Sequence, residues 1–540
     1  MLDKADTDRR WLWLLAWLLL FALAAWLRLW QIGHQILIDD EWHAIHKLMR
    51  SGYRDIFLSF GHADHTIPLT LFFRLLADTI GLSEWRMRAL PLAFGLATVL
   101  ALPWVMKPWL KRSEPWVFGA LLAISPLLIH FTRYVRPYAL TVPMGFIAMI
   151  ALWRWWHERK RAWAIVFVIC ATACAWLHPL TLLFTAAALT WFGLIALDDW
   201  WRGDRGEALK RILPLGALTT LFCSALVLPP LLADPDAMTG KSGIHQVQWI
   251  TFVQAWEMVI GSAHWLFAGA GLVFAALGAW RLGRRDPAFI AYWVFMIVVA
   301  LVVTILLNAA WIHHALVLVR YTAIAQPFAL LLIAVGLVWT AGCLFRPRNL
   351  AVPLTASVLL VLLAFSGPLP RTMDGPNPFT NHLRYQLDFD EQRNPVEQLQ
   401  AVLAIPDIYA RIAGESGDWV VIESPWHFES VFSPLSAYQR VHRRPVRIGM
   451  ASGLCVDWTH GELRPDSDQH IVFRQFLFLA DLLQQTSPEN RFLVFHRTEA
   501  VDGARELPDI EPCIDAFRSV HGTPWHEDQN QVVFRLPAST

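Results

Sequence analysis

Three carboxylates in succession, Asp39, Asp40 and Glu41, occupy the segment Ile38-Asp39-Asp40-Glu41-Trp42-His43, shortly after a long apolar run over residues 11–30. Carboxylates beside a membrane face suit proton abstraction from a lipid-borne substrate, or metal binding next to it. The competing reading is a solvated acidic loop. A second polar group follows in Gly61-His62-Ala63-Asp64-His65-Thr66-Ile67-Pro68-Leu69, so His62, Asp64 and His65 could converge with Asp40 and Glu41. The carboxylates would favour Mg, Mn or Ca, and a mixed set of Asp40, Asp64 and His62 would favour Zn. Each histidine also reads as an ordinary loop residue.

Cationic residues form the complementary set. Arg133-Tyr134-Val135-Arg136-Pro137-Tyr138 joins two apolar runs, Arg320-Tyr321 opens a late one, and Arg86 and Arg88 open an early one. Arginines there read either as interfacial anchors or as planar forks for a lipid phosphate. Together they speak more for the phosphate than any one of them does alone. His178-Pro179 reads as a helix-ending turn, and Asp198-Asp199-Trp200-Trp201 as a solvated link.

The elements that must carry these residues are membrane spans. The chain of 540 residues is 56% apolar with 29 Trp. Its fold class reads as a polytopic α-helical membrane protein with a C-terminal soluble α/β domain. About 11 spans are expected, at residues 11–30, 86–106, 115–131, 137–156, 162–177, 179–197, 211–232, 263–280, 288–307, 321–342 and 350–367. Lys4, Arg9 and Arg10 precede the first span, and Lys/Arg clusters fill alternate links, among them Arg159-Lys160-Arg161 and Arg284-Arg285. The positive-inside bias then puts the N-terminus in the cytoplasm of a cell whose inner (plasma) membrane holds the chain. An odd span number puts the C-terminal domain outside, in a periplasm if the cell has one. Residues 1–369 form the membrane domain, with 31–85 as the first outer loop, and 370–540 form the outer domain. Within that loop, residues 67–82 are apolar but interrupted by Arg74 and Asp78, which suits a helix lying on the membrane surface.

In the outer domain, residues 418–423, 491–495 and 531–534 read as strands, and 470–485 has helical spacing. Cys455 and Cys513 could pair in an oxidising compartment. Cys170, Cys174, Cys223 and Cys343 read as packing residues within spans. A net charge of +1 with no basic tract gives no reason to expect nucleic acid. Neither a dinucleotide glycine fingerprint nor a phosphate loop is present.

Asp40-Glu41, the Asp64–Leu69 stretch, Glu84-Trp85-Arg86-Met87-Arg88-Ala89-Leu90-Pro91, Arg133–Tyr138 and Arg320-Tyr321 together resemble the GT-C glycosyltransferases. Within that superfamily they are similar to the family-39-like group of aminoarabinose transferases, protein O-mannosyltransferases and rhizobial lipopolysaccharide transferases. The likeness covers about the first 340 residues in layout. It implies an inverting transfer, metal-assisted by a divalent ion, from a polyprenyl-phosphate-linked sugar to a lipid, glycan or protein acceptor. On that footing Asp40 is the general base, with Asp39 its rival, and Glu41 orients the loop or helps to hold a metal. Asp64, His65, Arg133, Arg136, Tyr138, Arg320 and Tyr321 bind the lipid phosphate and sugar, and Arg136 and Arg320 stabilise the departing phosphate. The group commonly has a Lys where this chain has His65, which removes a permanent charge near neutral pH. A transporter or flippase of a lipid-linked or small anionic substrate is the alternative, although such proteins place ionisable groups near the bilayer midplane.

Overall fold

The computed structural model describes residues 4–30, 52–60, 66–80, 84–345 (without 112, 204, 240–242, 244, 245 and 263), 348–366, 405–425, 441–456, 476–484, 487–497 and 509–538, together with Ile32, Glu41 and Tyr438. Asp39, Asp40, His62, Asp64 and His65 lie outside the described residues.

The apolar runs fold as helices. After α1 (Lys4–Leu29) come two shorter helices, α2 (Tyr53–Phe57) and α3 (Ile67–Thr79). The bundle continues through α4 (Glu84–Val105), α5 (Glu114–Ile124), α6 (Pro126–Arg133), α7 (Tyr138–Glu158), α8 (Arg161–Leu177), α9 (Leu182–Trp201) and α10 (Glu207–Ala233). A single turn, α11 (Asp236–Thr239), precedes α12 (Trp249–Ile260), α13 (Trp265–Gly283), α14 (Pro287–Leu306), α15 (Ala315–Tyr321), α16 (Gln326–Leu344) and α17 (Arg348–Ser366). Among the described residues, eight helices are long and apolar enough to cross a bilayer, and nine if the bent pair α5–α6 counts as one span. The runs expected at 162–177 and 350–367 fall on shorter apolar helices, α8 and the Val352–Ser366 part of α17. The chain is a polytopic helical membrane protein.

The run at 115–131 is not the single straight span that its hydropathy suggests. It bends by 56° at Ser125-Pro126. Pro126 has no N–H, so the Leu122 carbonyl loses its in-helix donor. Ser125 caps the new helix by accepting from the Leu128 N–H at 3.4 Å. Arg28, buried near the end of α1, supplies what the break removes. Its guanidinium donates to the carbonyls of Leu122 at 3.0 Å and Ala123 at 2.8 Å. Elsewhere close contact depends on glycine. A Cβ on Gly278 would lie 1.8 Å from the Leu332 carbonyl oxygen, and one on Gly336 would lie 2.0 Å from that of Phe274, so α13 and α16 touch backbone to backbone.

Residues 408–536 include one six-stranded sheet made of β1 (Trp419–Ser424), β2 (Val446–Met450), β3 (Phe476–Phe478), β4 (Asn490–His496), β5 (His526–Glu527) and β6 (Gln531–Leu536), in the order β3-β2-β1-β4-β6-β5. The first four are parallel; β6 runs antiparallel to β4 and to β5. Three strands coincide with the apolar runs named above. The run 470–485 does not fold as one helix in its described part: β3 pairs with β2, and only α19 (Leu479–Gln484) is helical. Pairing along a sheet edge has overridden the spacing of Phe and Leu.

One face of this sheet packs on α19 and on α20 (Glu511–His521), and the Cys455–Cys513 disulfide, with Cα atoms 5.3 Å apart, anchors α20. The other face carries Trp419, Val421, Ile448, Phe492 and Val494 beneath α18 (Ile408–Gly414). Those residues share one buried apolar cluster with Ile56, Phe60, Ile67, Leu69 and Phe73 around α2 and α3, and with Met87 and Val135. The sheet is therefore seated on the end of the bundle where Glu41 lies.

Candidate site at the Glu41 end of the helical bundle

Helix ends bring the site together. Glu41 is fully buried, and its Oε1 accepts from the Val135 N–H at 2.8 Å. Arg88, also fully buried on the first turns of α4, stands 3.6 Å from the same oxygen through Nη2 and donates from Nη1 to the Ile32 carbonyl at 3.0 Å. Glu41 thus ties the segment after α1 to the α6–α7 link and to α4. A fully buried carboxylate is tolerated because it is paired and hydrogen-bonded.

Arg133 ends α6 with no exposed surface. Its Nη1 donates to the carbonyl of Arg28 at 3.2 Å and to that of Trp30, which closes the C-terminal end of α1. Glu41 and Arg88 are both close enough to act on Arg133 electrostatically. One of the two terminal nitrogens of Arg133 thus serves backbone. Arg136 follows in a tight turn, its N–H donating to the Tyr134 carbonyl at 2.7 Å, and its side chain is buried.

Arg320, at the end of α15, is half-buried and faces aromatic rings. Its guanidinium carbon lies 5.7 Å from the Tyr134 ring centre and 5.5 Å from that of Tyr138, within the range of cation–π attraction. The Tyr138 ring lies 5.9 Å from His178, which in turn lies 5.9 Å from Tyr321. His130 packs on Tyr134 at 4.6 Å. His178, read from its dipeptide as a plain turn, is 4% exposed and sits inside this ring.

The first long loop is pinned nearby. Ser59 Oγ donates to Asp234 Oδ2 at 2.6 Å at the end of α10, and Phe57 meets Trp176 edge-on at 6.1 Å. Helix α3 is amphipathic, with Ile67, Leu69, Phe73 and Leu76 buried and Arg74 bridging Asp78 at 3.0 Å on the other side.

Of the residues singled out in the sequence, the fold gathers Glu41, Arg88, Arg133, Arg136, Tyr138, Arg320 and Tyr321 at one end of the bundle. Arg86 stays on the exposed side of α4. Arg28, His130, Tyr134 and His178 were missed. Arg28 carried a usable signal, because a cation inside an apolar run must find partners when buried. Among the described residues no group of three or more His, Cys, Asp or Glu could hold a metal ion. Both contacts of Glu41, with Arg88 and with the Val135 N–H, fall on its Oε1.

No family model matches the chain, and no curated protein matches it. Among solved structures, the chain is similar to ArnT from Cupriavidus metallidurans in the apo state, with 13% identity and a TM-score of 0.46 over 99% of this chain and 100% of that one. It is also similar to ArnT from Cupriavidus metallidurans bound to undecaprenyl phosphate, with 12% identity and a TM-score of 0.45 over 97% and 98% of the two chains. Likeness at this level assigns neither an activity nor a substrate.

Proposed function

We propose that the chain is an integral-membrane glycosyltransferase of GT-C type, which moves a sugar from a polyprenyl-phosphate-linked donor to a lipid, glycan or protein acceptor. The observation that carries the reading is the convergence of Glu41, Arg88, Arg133, Arg136, Tyr138, His178, Arg320 and Tyr321 from separate helix ends. Asp40 precedes Glu41 in the sequence, and Glu41 is anchored in that cluster.

In this reading Asp40 takes the proton from the acceptor hydroxyl, with Asp39 as its rival. The acceptor oxygen attacks the anomeric carbon from the face opposite the phosphate. As the new bond forms, the bond from the anomeric carbon to the phosphate oxygen breaks, and the electron pair leaves on the polyprenyl phosphate. The configuration inverts. Arg136 and Arg320 stabilise the departing charge, and the rings around Arg320 hold that guanidinium in place. Asp64 and His65 contact the sugar from the first loop. A divalent ion held by Asp40, Asp64 and His62 would supply Lewis-acid assistance; no step above depends on it.

The N-terminus lies in the cytoplasm and the sheet domain outside the inner membrane, where lipid A, another lipopolysaccharide component, a cell-wall polymer or a protein accepts the sugar.

The test is a reconstituted assay with radiolabelled polyprenyl-phosphate sugars, a membrane extract as acceptor, and Asp40→Asn in parallel. Transfer by the wild type and none by Asp40→Asn is the expected result. Absence of turnover with every donor, alongside substrate-dependent flux in proteoliposomes, would replace the reading with a transporter or flippase. Turnover unchanged after EDTA would remove the metal from it.

A further inference from the structure

The end of the bundle away from Glu41 carries a second set of cations, with no part in the reaction above. There α7 ends at Glu158, α8 begins at Arg161 and α10 begins at Glu207. Arg211, on the second turn of α10, reaches across to α7. Its Nη2 donates to the Trp156 carbonyl at 3.1 Å, and its guanidinium carbon lies 5.3 Å from the ring centres of both Trp155 and Trp156. That grip holds the charge in place, and among the described residues the other donors of the fork have no protein partner.

Charge is unbalanced here. Glu158 pairs with Arg154 and with Lys160, Asp198 with Arg202 at 2.9 Å, and Glu207 with Lys210 at 2.8 Å. Among the described residues no carboxylate pairs with Arg159, Arg161 or Arg211. Arg159 and Arg161 are exposed, Arg211 is half-buried, and Arg159 is close enough to Arg211 to act on it electrostatically.

Two of these cations sit where local structure disfavours them. Arg159 closes α7 in the left-handed region, at φ 59°, where glycine is the usual residue. Arg161 opens α8, where a cation opposes the helix dipole. A charge bias that only orients the chain in a membrane needs cations in the link, and Lys160 would serve. It does not need an arginine held against two indoles.

The surface beside the cations is apolar. Arg161, Ile165 and Ile169 follow at four-residue spacing on one side of α8, and both isoleucines are 59% exposed. On α10, Pro214 and Leu218 continue from Arg211 at helical spacing and are exposed too. A fixed planar fork beside further cations suits a phosphate, and apolar stripes running from it suit acyl chains.

We propose that the α7–α8 turn and the start of α10 form a binding site for an anionic phospholipid of the bilayer, with its phosphate among Arg159, Arg161 and Arg211. The site is independent of the transferase reading.

The experiment titrates the detergent-purified full-length protein with phosphatidylglycerol, phosphatidylcholine and inorganic phosphate, and follows retained molecules by native mass spectrometry. Phosphatidylglycerol should bind about tenfold more tightly than phosphatidylcholine. Arg159→Gly combined with Arg161→Gln should remove that preference. Lys107→Gln combined with Lys111→Gln, an equal loss of charge at the same end of the bundle, should leave it intact. If the first pair does not assemble by size exclusion, Arg159→Gly alone decides: glycine suits the left-handed turn, and affinity should fall about fivefold. Equal retention of the two lipids, equal losses in the two paired variants, or unchanged retention in Arg159→Gly would overturn the proposal. So would displacement of phosphatidylglycerol by millimolar inorganic phosphate, because the site would then take a free anion and not a lipid.

Discussion

At the start of α5, Glu114 receives both arms of Arg285, at 2.6 and 2.7 Å, and accepts from the Lys111 N–H at 2.8 Å. Arg285 also donates to the Trp109 carbonyl at 3.0 Å, Trp109 donates to Asp286 at 3.2 Å, and its ring stacks on Phe289 at 4.6 Å. At the opposite end of α4, Glu41 faces Arg88 at 3.6 Å, while Arg28 and Arg133 donate hydrogen bonds to backbone carbonyls. Both ends bury carboxylates and guanidinium groups, but they use them differently. The Glu114 end is a bidentate clamp, in which charge cancels charge within hydrogen-bond distance. At the Glu41 end the arginines shape backbone: one mends a broken helix and one closes α1. The looser ion pair beside them holds a loop in place. The first arrangement secures the bundle, and the second positions groups.

That contrast can be broken most directly at the two carboxylates. Glu41→Ala removes the carboxylate that positions Arg88 and the Val135 N–H and should cut transfer per folded molecule by about a hundredfold, about 2.7 kcal/mol on the barrier. Glu114→Ala should lower the melting temperature and the yield but leave turnover per folded molecule within about twofold. Equal losses of turnover in the two variants would erase the distinction.

Arg28→Lys sharpens it. A single ammonium cannot serve the Leu122 and Ala123 carbonyls as the fork does. Turnover should fall about tenfold, about 1.4 kcal/mol on the barrier, and circular dichroism should show the helical content retained. Wild-type rates would mean that the bend at Ser125-Pro126 needs no support. Gly336→Ala tests the bundle away from either end: its Cβ must displace the Phe274 carbonyl. Destabilisation of about 1–3 kcal/mol is expected in thermal unfolding, without a change in donor KM.

The last test concerns burial without a pairing charge. His442, in the sheet domain, has its pKa pushed down to about 3 by burial, with the nearby Arg444 adding to it. Above about pH 6.5 the histidine is neutral both folded and unfolded and contributes no pH dependence. Below that value the unfolded chain takes up the proton first, so stability declines by up to about 1.4 kcal/mol per pH unit until about pH 3. His442→Phe should flatten this part of the acid unfolding curve, and an unchanged slope would contradict the burial argument.

Much of the arrangement was legible in local pattern. Apolar runs marked the helices, and Arg88, Arg133, Arg136 and Arg320 stood out as cations at the ends of those runs. Cys455 and Cys513 were legible only as able to pair, and the fold brings them together. What pattern could not reveal was how neighbours would differ: Arg88 turns inward to Glu41 while Arg86, two residues earlier, stays exposed. His178 looked like a turn residue because its partners, Tyr138 and Tyr321, are distant in the chain. Helical spacing at 470–485 misled because Phe476–Phe478 had a strand to pair with.

The sequence by itself determined that the chain enters the membrane many times and that its charges gather at span ends. Hydropathy and charge are properties of short stretches, and the cost of burying backbone in lipid leaves helices as the way to satisfy them. Only the tertiary structure decided which carboxylate is paired, which arginine serves a carbonyl, and that residues from Glu41 to Tyr321 meet. Those outcomes depend on which groups packing takes out of water together, and each buried donor must then find its acceptor wherever the chain has brought one.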